Sequence, residues 1–135
     1  MLLNSEHTLN LRVYAADTDF MRVVYHARFL EFFDRARTEM LREHGLSLTT
    51  MARHDTYFAI HDVHIQYFSP ARLEDSLEIK TCCVLKSAAV LQFNQVMHNQ
   101  SGILLSEVKV QVVCVNEALK PKRIPAEWIG GVKRG

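Results

Sequence analysis

The sequence predicts an α+β domain in which a five-stranded antiparallel sheet curls over one long helix. Three observations support this. One segment carries apolar residues at helical spacing, five segments have the character of strands, and most of these strands are joined by turn-forming residues. The length of 135 residues suits one compact unit, so we assign residues 1–135 to a single domain.

The first strand and the helix are the clearest elements. From His7 to Ala16, leucine and valine alternate with polar residues, which predicts a strand. From about Val24 the period becomes three and four residues, which predicts one long helix that stops at Gly45. On this helix, Arg37 lies beside the apolar stripe and is predicted to form a structural ion pair or hydrogen bond. The segment MARHDTY is predicted to be a connection.

Four further strands are predicted in the second half of the chain. They are about Phe58 to Phe68, Ser76 to Lys86, Ala89 to His98 and Leu104 to Val115. The alternation slips near His61 and Asp62, which is typical either of a β-bulge or of a misplaced boundary. In the last strand one face should pack on apolar surface, and it consists of Val108, Val110, Val112 and Cys114. Such a sheet leaves a side or an edge uncovered, and dimerisation would cover it.

Composition argues against several classes of function. The formal net charge of +1 provides no broad positive field, so we predict no nucleic-acid partner. The sequence has neither a secretion signal nor a membrane-spanning apolar run, which predicts a soluble cytoplasmic protein. No Cys and His residues have metal-binding spacing, so we predict no metal site. Reduced structural thiols are predicted for Cys82, Cys83 and Cys114.

The segment YAADTDFMRVVYHARFLEFFDRARTEML, from Tyr14 to Leu41, is the best candidate for chemistry. It places Asp17 and Asp19 before the predicted helix and His26 in its first turn, where a backbone amide has no intrahelical acceptor. Amides of this kind can stabilise an oxyanion. An acidic pair is also typical of a capped turn, and a histidine near a helix start is commonly a surface residue, so spacing alone leaves both interpretations open.

The same segment resembles the signature of YbgC-like acyl-CoA thioesterases, which belong to the 4-hydroxybenzoyl-CoA thioesterase family of the hotdog fold. The shared residues are Tyr-x-x-Asp-Thr-Asp, Val-Val-Tyr-His and, further along the predicted helix, Ala-Arg-Thr-Glu. Two later segments, VHIQYFSPARLEDSLEIKT and VVCVNEALKPKRIP, extend the resemblance over most of the chain as far as Pro125. The resemblance implies a hotdog sheet around the helix, homodimers joined edge to edge, often homotetramers, and a site between two subunits.

The resemblance also implies roles for particular residues. It implies an acyl-CoA thioesterase that needs no cofactor, with Asp19 as the catalytic carboxylate, His26 assisting and Asp17 structural. The backbone amides of Tyr25 and His26 would polarise the thioester carbonyl. Asp19 would either attack the carbonyl carbon or activate water, and the sequence leaves both routes open.

The chain departs from the family inside this motif. Relatives commonly have small residues such as Ala-Gly-Gly where this chain has Phe20, Met21 and Arg22, and glycine would let the backbone approach a ligand closely. We expect Phe20 and Met21 to reshape the acyl pocket, and Arg22 to contact a CoA phosphate or solvent. Other cationic candidates for the phosphates are Lys86, Lys120, Lys122 and Arg123.

Two other functions are compatible with these residues. A hotdog hydratase or dehydratase would also use an acid and a histidine, although such enzymes typically space them more closely than Asp19 and His26 are spaced. A noncatalytic hotdog that binds acyl-CoA or acyl-carrier protein would result if Phe20 and Met21 closed the site. Hydrolysis of acyl-CoA is the first hypothesis.

Overall fold

The computed structural model of the chain describes residues 2–130. Its strands and helices, in chain order, are β1 (His7–Arg12), α1 (His26–Glu43), α2 (Leu48–Arg53), β2 (Tyr57–Tyr67), β3 (Ser76–Leu85), β4 (Val90–His98) and β5 (Leu104–Val115). Two short 3-10 turns lie at Ala15–Asp17 and Ala126–Trp128. Of the residues described, no helix is long and apolar enough to cross a membrane.

The strands form one five-stranded antiparallel sheet in the order β1-β3-β4-β5-β2. Together with the single long helix, this confirms the predicted α+β hotdog fold. Strands β3, β4 and β5 are successive hairpins, whereas β1 pairs with β3 and β2 pairs with β5 across long stretches of sequence. The outer pairings place β2 at one edge of the sheet.

Helix α1 packs its apolar side on one face of the sheet. Its buried residues are Phe29, Phe32, Phe33, Ala36, Arg37, Met40 and Leu41. They share one core with alternate residues of the strands, such as Leu77, Ile79, Leu91 and Phe93. The predicted apolar face of β5 is buried from Val108 to Cys114, which confirms that prediction. Because each large apolar side chain contributes about 1.5–3 kcal/mol when buried, this contact holds α1 on the sheet.

A buried polar network lies between α1 and the sheet. The Arg37 guanidinium donates to Oε1 of Gln95 at 3.0 Å and lies 3.3 Å from a carboxylate oxygen of Asp34. The Gln95 amide donates in turn to the carbonyl oxygen of Phe33 at 2.9 Å and to the hydroxyl of Thr81 at 3.0 Å. The predicted structural role of Arg37 is therefore confirmed. Because buried polar groups need partners, the network specifies how α1 sits on β3 and β4.

Three local features refine the predicted boundaries. Strand β1 ends at Arg12 rather than at Ala16, because the chain turns into the 3-10 segment. The slip in alternation is a β-bulge, since the register of β2 against β5 shifts between Ile60 and Asp62. Helix α1 begins at His26, two residues after the predicted start.

The predicted connection after α1 was wrong in part, because its first three residues form the second half of α2. The sequence signal for this helix is Ser47, whose hydroxyl accepts the backbone N–H of Thr50 and caps the first turn. Met51 is buried on its inner side. A six-residue helix shows too few turns for apolar periodicity to reveal it.

Candidate active site

Asp19 begins a tight hairpin loop. Its N–H donates to the carbonyl oxygen of Val23 at 3.0 Å, and the Arg22 N–H donates back to the carbonyl oxygen of Asp19 at 3.0 Å. Thr18 and Val24 pair as a β-bridge at the base of the loop. Arg22 has φ +64°, the left-handed conformation that usually selects glycine after a turn in a three-residue hairpin loop. Glycine would adopt this conformation at position 22 without steric cost, whereas arginine is strained there.

The carboxylate of Asp19 is oriented by the loop that it starts. Its Oδ1 accepts the N–H of Met21 at 2.8 Å and lies 3.5 Å from the amide nitrogen of Val23. Within residues 2–130, its Oδ2 forms no hydrogen bond. Asp19 therefore caps the turn through Oδ1, as the capped-turn interpretation predicts. Its Oδ2 is left available for chemistry.

The two bulky residues at the tip of the loop point away from the core. Phe20 is 93% exposed and Met21 is 66% exposed. Neither side chain lines the pocket beside the start of α1 that is described below. Within one chain they therefore leave that pocket open, and their predicted effect on the acyl pocket stays a prediction.

Asp17 has a different environment from Asp19. Its carboxylate accepts the backbone N–H of Tyr14 at 2.9 Å and lies 3.8 Å from Nε of Arg28 in the first turn of α1. Arg28 also donates to the carbonyl oxygen of Ala16 at 3.3 Å. These contacts give Asp17 a structural role, joining the 3-10 turn to the helix.

The N-terminus of α1 presents uncapped backbone amides. Tyr25 is the N-cap residue, and its side chain forms no capping hydrogen bond. Across the described part of the chain, the amides of Tyr25 and His26 find no hydrogen-bond acceptor. The neighbouring Val24 N–H donates to the carbonyl oxygen of Ala71 at 2.8 Å, which anchors the start of the helix to the segment before β3. Unpaired amides and the helix dipole favour negative charge at this point.

A pocket of about 310 Å³ opens beside this helix start. Its walls are mostly apolar and are formed by Val24, His26, Phe29, Tyr67, Phe68, Ser69 and Pro70. The end of β2 supplies Tyr67, whose hydroxyl donates to the carbonyl oxygen of His26 at 2.9 Å. Sequence reasoning assigned no role to Tyr67, although it lies in one of the segments that carry the family resemblance.

The structure brings some predicted residues together and separates others. His26 and the amides of Tyr25 and His26 lie at the pocket, and Asp19 lies in the adjoining loop. No hydrogen bond or ion pair between Asp19 and His26 is found among the residues described. Lys86 lies beyond the far end of β3, about 30 Å along the strand from Ser76. Within one chain Lys86 is therefore remote from the pocket, and its contact with CoA stays a prediction.

The cationic candidates near the C-terminus also differ from one another. The Lys122 ammonium donates to the carbonyl oxygens of His54 and Asp55 at 3.3 and 3.1 Å, and to the hydroxyl of Thr56 at 3.1 Å. These bonds use its three donors, so Lys122 joins the end of α2 to the chain beyond β5. Lys120 and Arg123 are exposed.

The cysteines are free and lie outside this pocket. Burial raises the pKa of the Cys83 thiol to about 12, and neighbouring Cys82 adds to the shift. Burial also raises the pKa of Cys114, with Lys122 acting in the opposite direction. Both thiols therefore stay protonated at neutral pH, as expected of structural cysteines and unlike nucleophilic ones.

Comparisons with known proteins agree with this geometry. Residues 13–130 match the family model of the thioesterase-like superfamily. Acyl-CoA thioester hydrolase YbgC of Escherichia coli is 39% identical over 125 residues, covering 92% of this chain and 93% of the relative. A probable thioesterase of Bartonella henselae is 37% identical with a TM-score of 0.83, covering 90% of this chain and 100% of that one.

A second solved structure is the 1,4-dihydroxy-2-naphthoyl-CoA thioesterase of Synechocystis. It is 27% identical with a TM-score of 0.85, and the match covers 92% of this chain and 93% of that one. Sequence and structure thus agree over nearly the whole length of the chain. The chain belongs to the thioesterase-like superfamily, as a YbgC-like acyl-CoA thioesterase with the hotdog fold.

Proposed function

We propose that this chain, acting as a single hotdog domain over residues 1–135, hydrolyses acyl-CoA thioesters to a free acid and CoA at the N-terminus of α1. Asp19 is the catalytic carboxylate and His26 assists. The observation that carries this proposal is the uncapped start of an 18-residue helix, which opens on a mostly apolar pocket beside the Asp19 loop.

The chemistry follows from charge that develops on the thioester oxygen. When a nucleophile adds to the carbonyl carbon, the oxygen becomes an anion, and the amides of Tyr25 and His26 are the donors proposed to bind it. The helix dipole favours the same charge. Collapse of the tetrahedral intermediate breaks the carbon–sulfur bond and releases CoA as a thiolate.

Asp19 can act by two routes. In one, a carboxylate oxygen attacks the carbonyl carbon to form an anhydride, which water then hydrolyses. In the other, the carboxylate takes a proton from water as the water attacks. The contact of Oδ1 with the Met21 N–H supports both routes, because it orients the carboxylate while Oδ2 is left without a hydrogen bond among the described residues.

A screen of hydrolysis over short, long and aromatic acyl-CoA substrates tests this function. We expect Asp19→Ala and Asp19→Asn to lower the rate by at least about 10²-fold, while the thermal unfolding temperature and the oligomer are retained. Near-normal turnover by either folded variant would contradict the assignment. In a single turnover in water enriched in heavy oxygen, label recovered in Asp19 identifies the anhydride route, since water that attacks the Asp19 carbonyl of the anhydride leaves its oxygen there.

The same screen distinguishes the other candidate functions. A hydratase would add water to crotonyl-CoA without releasing CoA. A noncatalytic binding protein would gain thermal stability from acyl-CoA and release no CoA from any substrate. The exposure of Phe20 and Met21 argues against closure of the site in one chain, which favours hydrolysis over simple binding.

We also propose that the chain forms homodimers through β2 and that these assemble into homotetramers. β2 is an 11-residue edge strand with exposed apolar side chains, among them Ile60 and Val63. Such an edge is a ready template for pairing with a second strand, whereas β1 at the other edge has six residues. Because Tyr67 ends β2 at the pocket, pairing there would bring a second subunit beside the proposed site.

Light scattering of the wild type and of Val63→Lys tests this assembly. The charge should weaken pairing along β2 and shift the protein toward a monomer. A wild-type monomer at micromolar concentration would contradict the proposal. The cytoplasm is the proposed location, since the three free cysteines suit a reducing compartment.

A further inference from the structure

We infer that Tyr67 is a positioning residue for the reaction at the start of α1 and that it acts through His26. This inference rests on the proposed function, because it concerns the residue whose amide is proposed to bind the oxyanion. Tyr67 itself is not proposed to bind or donate a proton to the substrate.

Tyr67 contacts both the backbone and the ring of His26. Its hydroxyl donates to the His26 carbonyl oxygen at 2.9 Å. Its ring meets the His26 imidazole edge-on, with ring centroids 6.1 Å apart and an interplanar angle of 89°. The same ring packs on Phe29 one turn further along the helix, at a centroid distance of 5.3 Å. One side chain of β2 thus holds the first turn of α1 at two successive levels.

The hydrogen bond restrains the residue that supplies the proposed oxyanion donor. His26 is the first residue of the helix, where intrahelical bonds restrain the backbone least. A bond from another element to its carbonyl oxygen limits rotation about its φ and ψ, and so limits the direction of its own N–H. Misplacement of a catalytic group by about 1 Å can cost about 10²-fold in rate, so such a restraint has kinetic consequences.

Core packing alone does not account for the hydroxyl. Tyr67 is 42% exposed, whereas Phe29 beside it is 2% exposed, so a phenylalanine would fill the same space. A partly exposed neutral hydrogen bond adds little to the stability of the fold. Partial burial raises the pKa of Tyr67, so the hydroxyl stays protonated and remains a donor at neutral pH.

The variant Tyr67→Phe tests the inference because it removes only the hydroxyl. Tyr57→Phe is its matched control, since Tyr57 lies at the opposite end of β2 and is 37% exposed. For each variant, kcat, KM and the unfolding temperature should be measured, together with the NMR signals of the His26 amide and ring. We expect Tyr67→Phe to lower kcat about tenfold with KM changed less than about twofold, to shift the His26 signals, and to unfold like the control.

Several results would overturn the inference. One is a kcat equal to that of Tyr57→Phe, and another is unchanged His26 signals. A third is a loss of activity in Tyr67→Phe that merely accompanies a loss of folding or of the oligomer, because Tyr67 would then have only a structural role. Asp19→Ala should be measured in parallel, because it distinguishes an error in the role of Tyr67 from an error in the proposed function. If Asp19→Ala stays active, the proposed site is wrong, whereas loss of activity there with a fully active Tyr67→Phe refutes Tyr67 alone.

Discussion

The carboxylate of Asp17 lies 3.8 Å from Nε of Arg28 and so joins the 3-10 turn before the Asp19 loop to the first turn of α1. A second contact reinforces this link, since Arg28 donates to the carbonyl oxygen of Ala16 at 3.3 Å. The proposed catalytic carboxylate is two residues beyond Asp17, and the proposed oxyanion amide is two residues before Arg28. One ion pair therefore connects the two segments that must cooperate in the reaction.

Replacement of Arg28 should affect turnover more than stability. We expect Arg28→Met to lower kcat about three- to tenfold, because the Asp19 loop loses its tether to the helix. The cost in free energy of unfolding should be about 1 kcal/mol, since the pair is partly exposed. The control Arg42→Met removes an exposed pair with Glu39 on the same helix and should leave both quantities unchanged. If Arg28→Met keeps the kcat of the wild type, the contact between Arg28 and Asp17 does not position the Asp19 loop for the reaction.

Two substitutions at His26 separate the roles of its ring and its amide. His26→Ala removes the imidazole and retains the N–H, so we expect a loss of about tenfold or less in hydrolysis. His26→Pro removes the N–H as well, and proline is well tolerated at the first position of a helix. Tyr25 has φ −61° and ψ 134°, the extended conformation that a residue before proline prefers.

The difference between these two variants measures the amide. We expect His26→Pro to be slower than His26→Ala by about 10²- to 10³-fold, the usual cost of one oxyanion donor. Circular dichroism should show equal helix content in both. Equal rates for the two folded variants would remove the His26 amide from the mechanism, and a complete loss in His26→Ala would make the ring the more important group.

The left-handed conformation of Arg22 predicts a gain in stability on substitution by glycine. This conformation destabilises the folded state by roughly 1–2 kcal/mol when the residue is not glycine. Glycine avoids that cost, but it loses more conformational entropy on folding, so the net gain in stability is smaller. We expect Arg22→Gly to be about 1 kcal/mol more stable than Arg22→Ala, which keeps the unfavourable φ. Urea unfolding measures the difference in stability. If the glycine variant is no more stable than the alanine variant, the backbone at position 22 is not strained.

Phe20 and Met21 should influence substrate choice and not folding. Since both side chains are exposed, Phe20→Ala and Met21→Ala should change the free energy of unfolding by no more than about 0.5 kcal/mol. If they contact the acyl group, each variant should alter the ratio of kcat/KM between long-chain and short-chain acyl-CoA. Identical ratios in the wild type and both variants would exclude these residues from the acyl pocket. Leu119→Ala, at another exposed loop, is the matched control.

Local patterns in the sequence were sufficient to predict most of the elements and the main candidate residues. Apolar spacing predicted α1, alternation predicted the strands, and the slip near His61 reflects a real bulge. The order of residues around Asp19 and His26 identified the family, which the comparisons confirm. These features are encoded by residues that are close in the chain, since helical and strand periodicity are properties of contiguous segments.

The tertiary structure decided how those segments meet. It placed β2 beside β5 at the edge of the sheet, and so brought Tyr67 to His26, 41 residues earlier in the chain. It also set Arg22 in a left-handed conformation and bound the Lys122 ammonium to backbone carbonyls. Contacts of this kind join residues that are far apart in the chain. They depend on how the whole core packs, and a local sequence pattern does not contain that information. The sequence by itself therefore determined most of the elements, the family and the catalytic candidates, and only packing decided the neighbours that hold them in place.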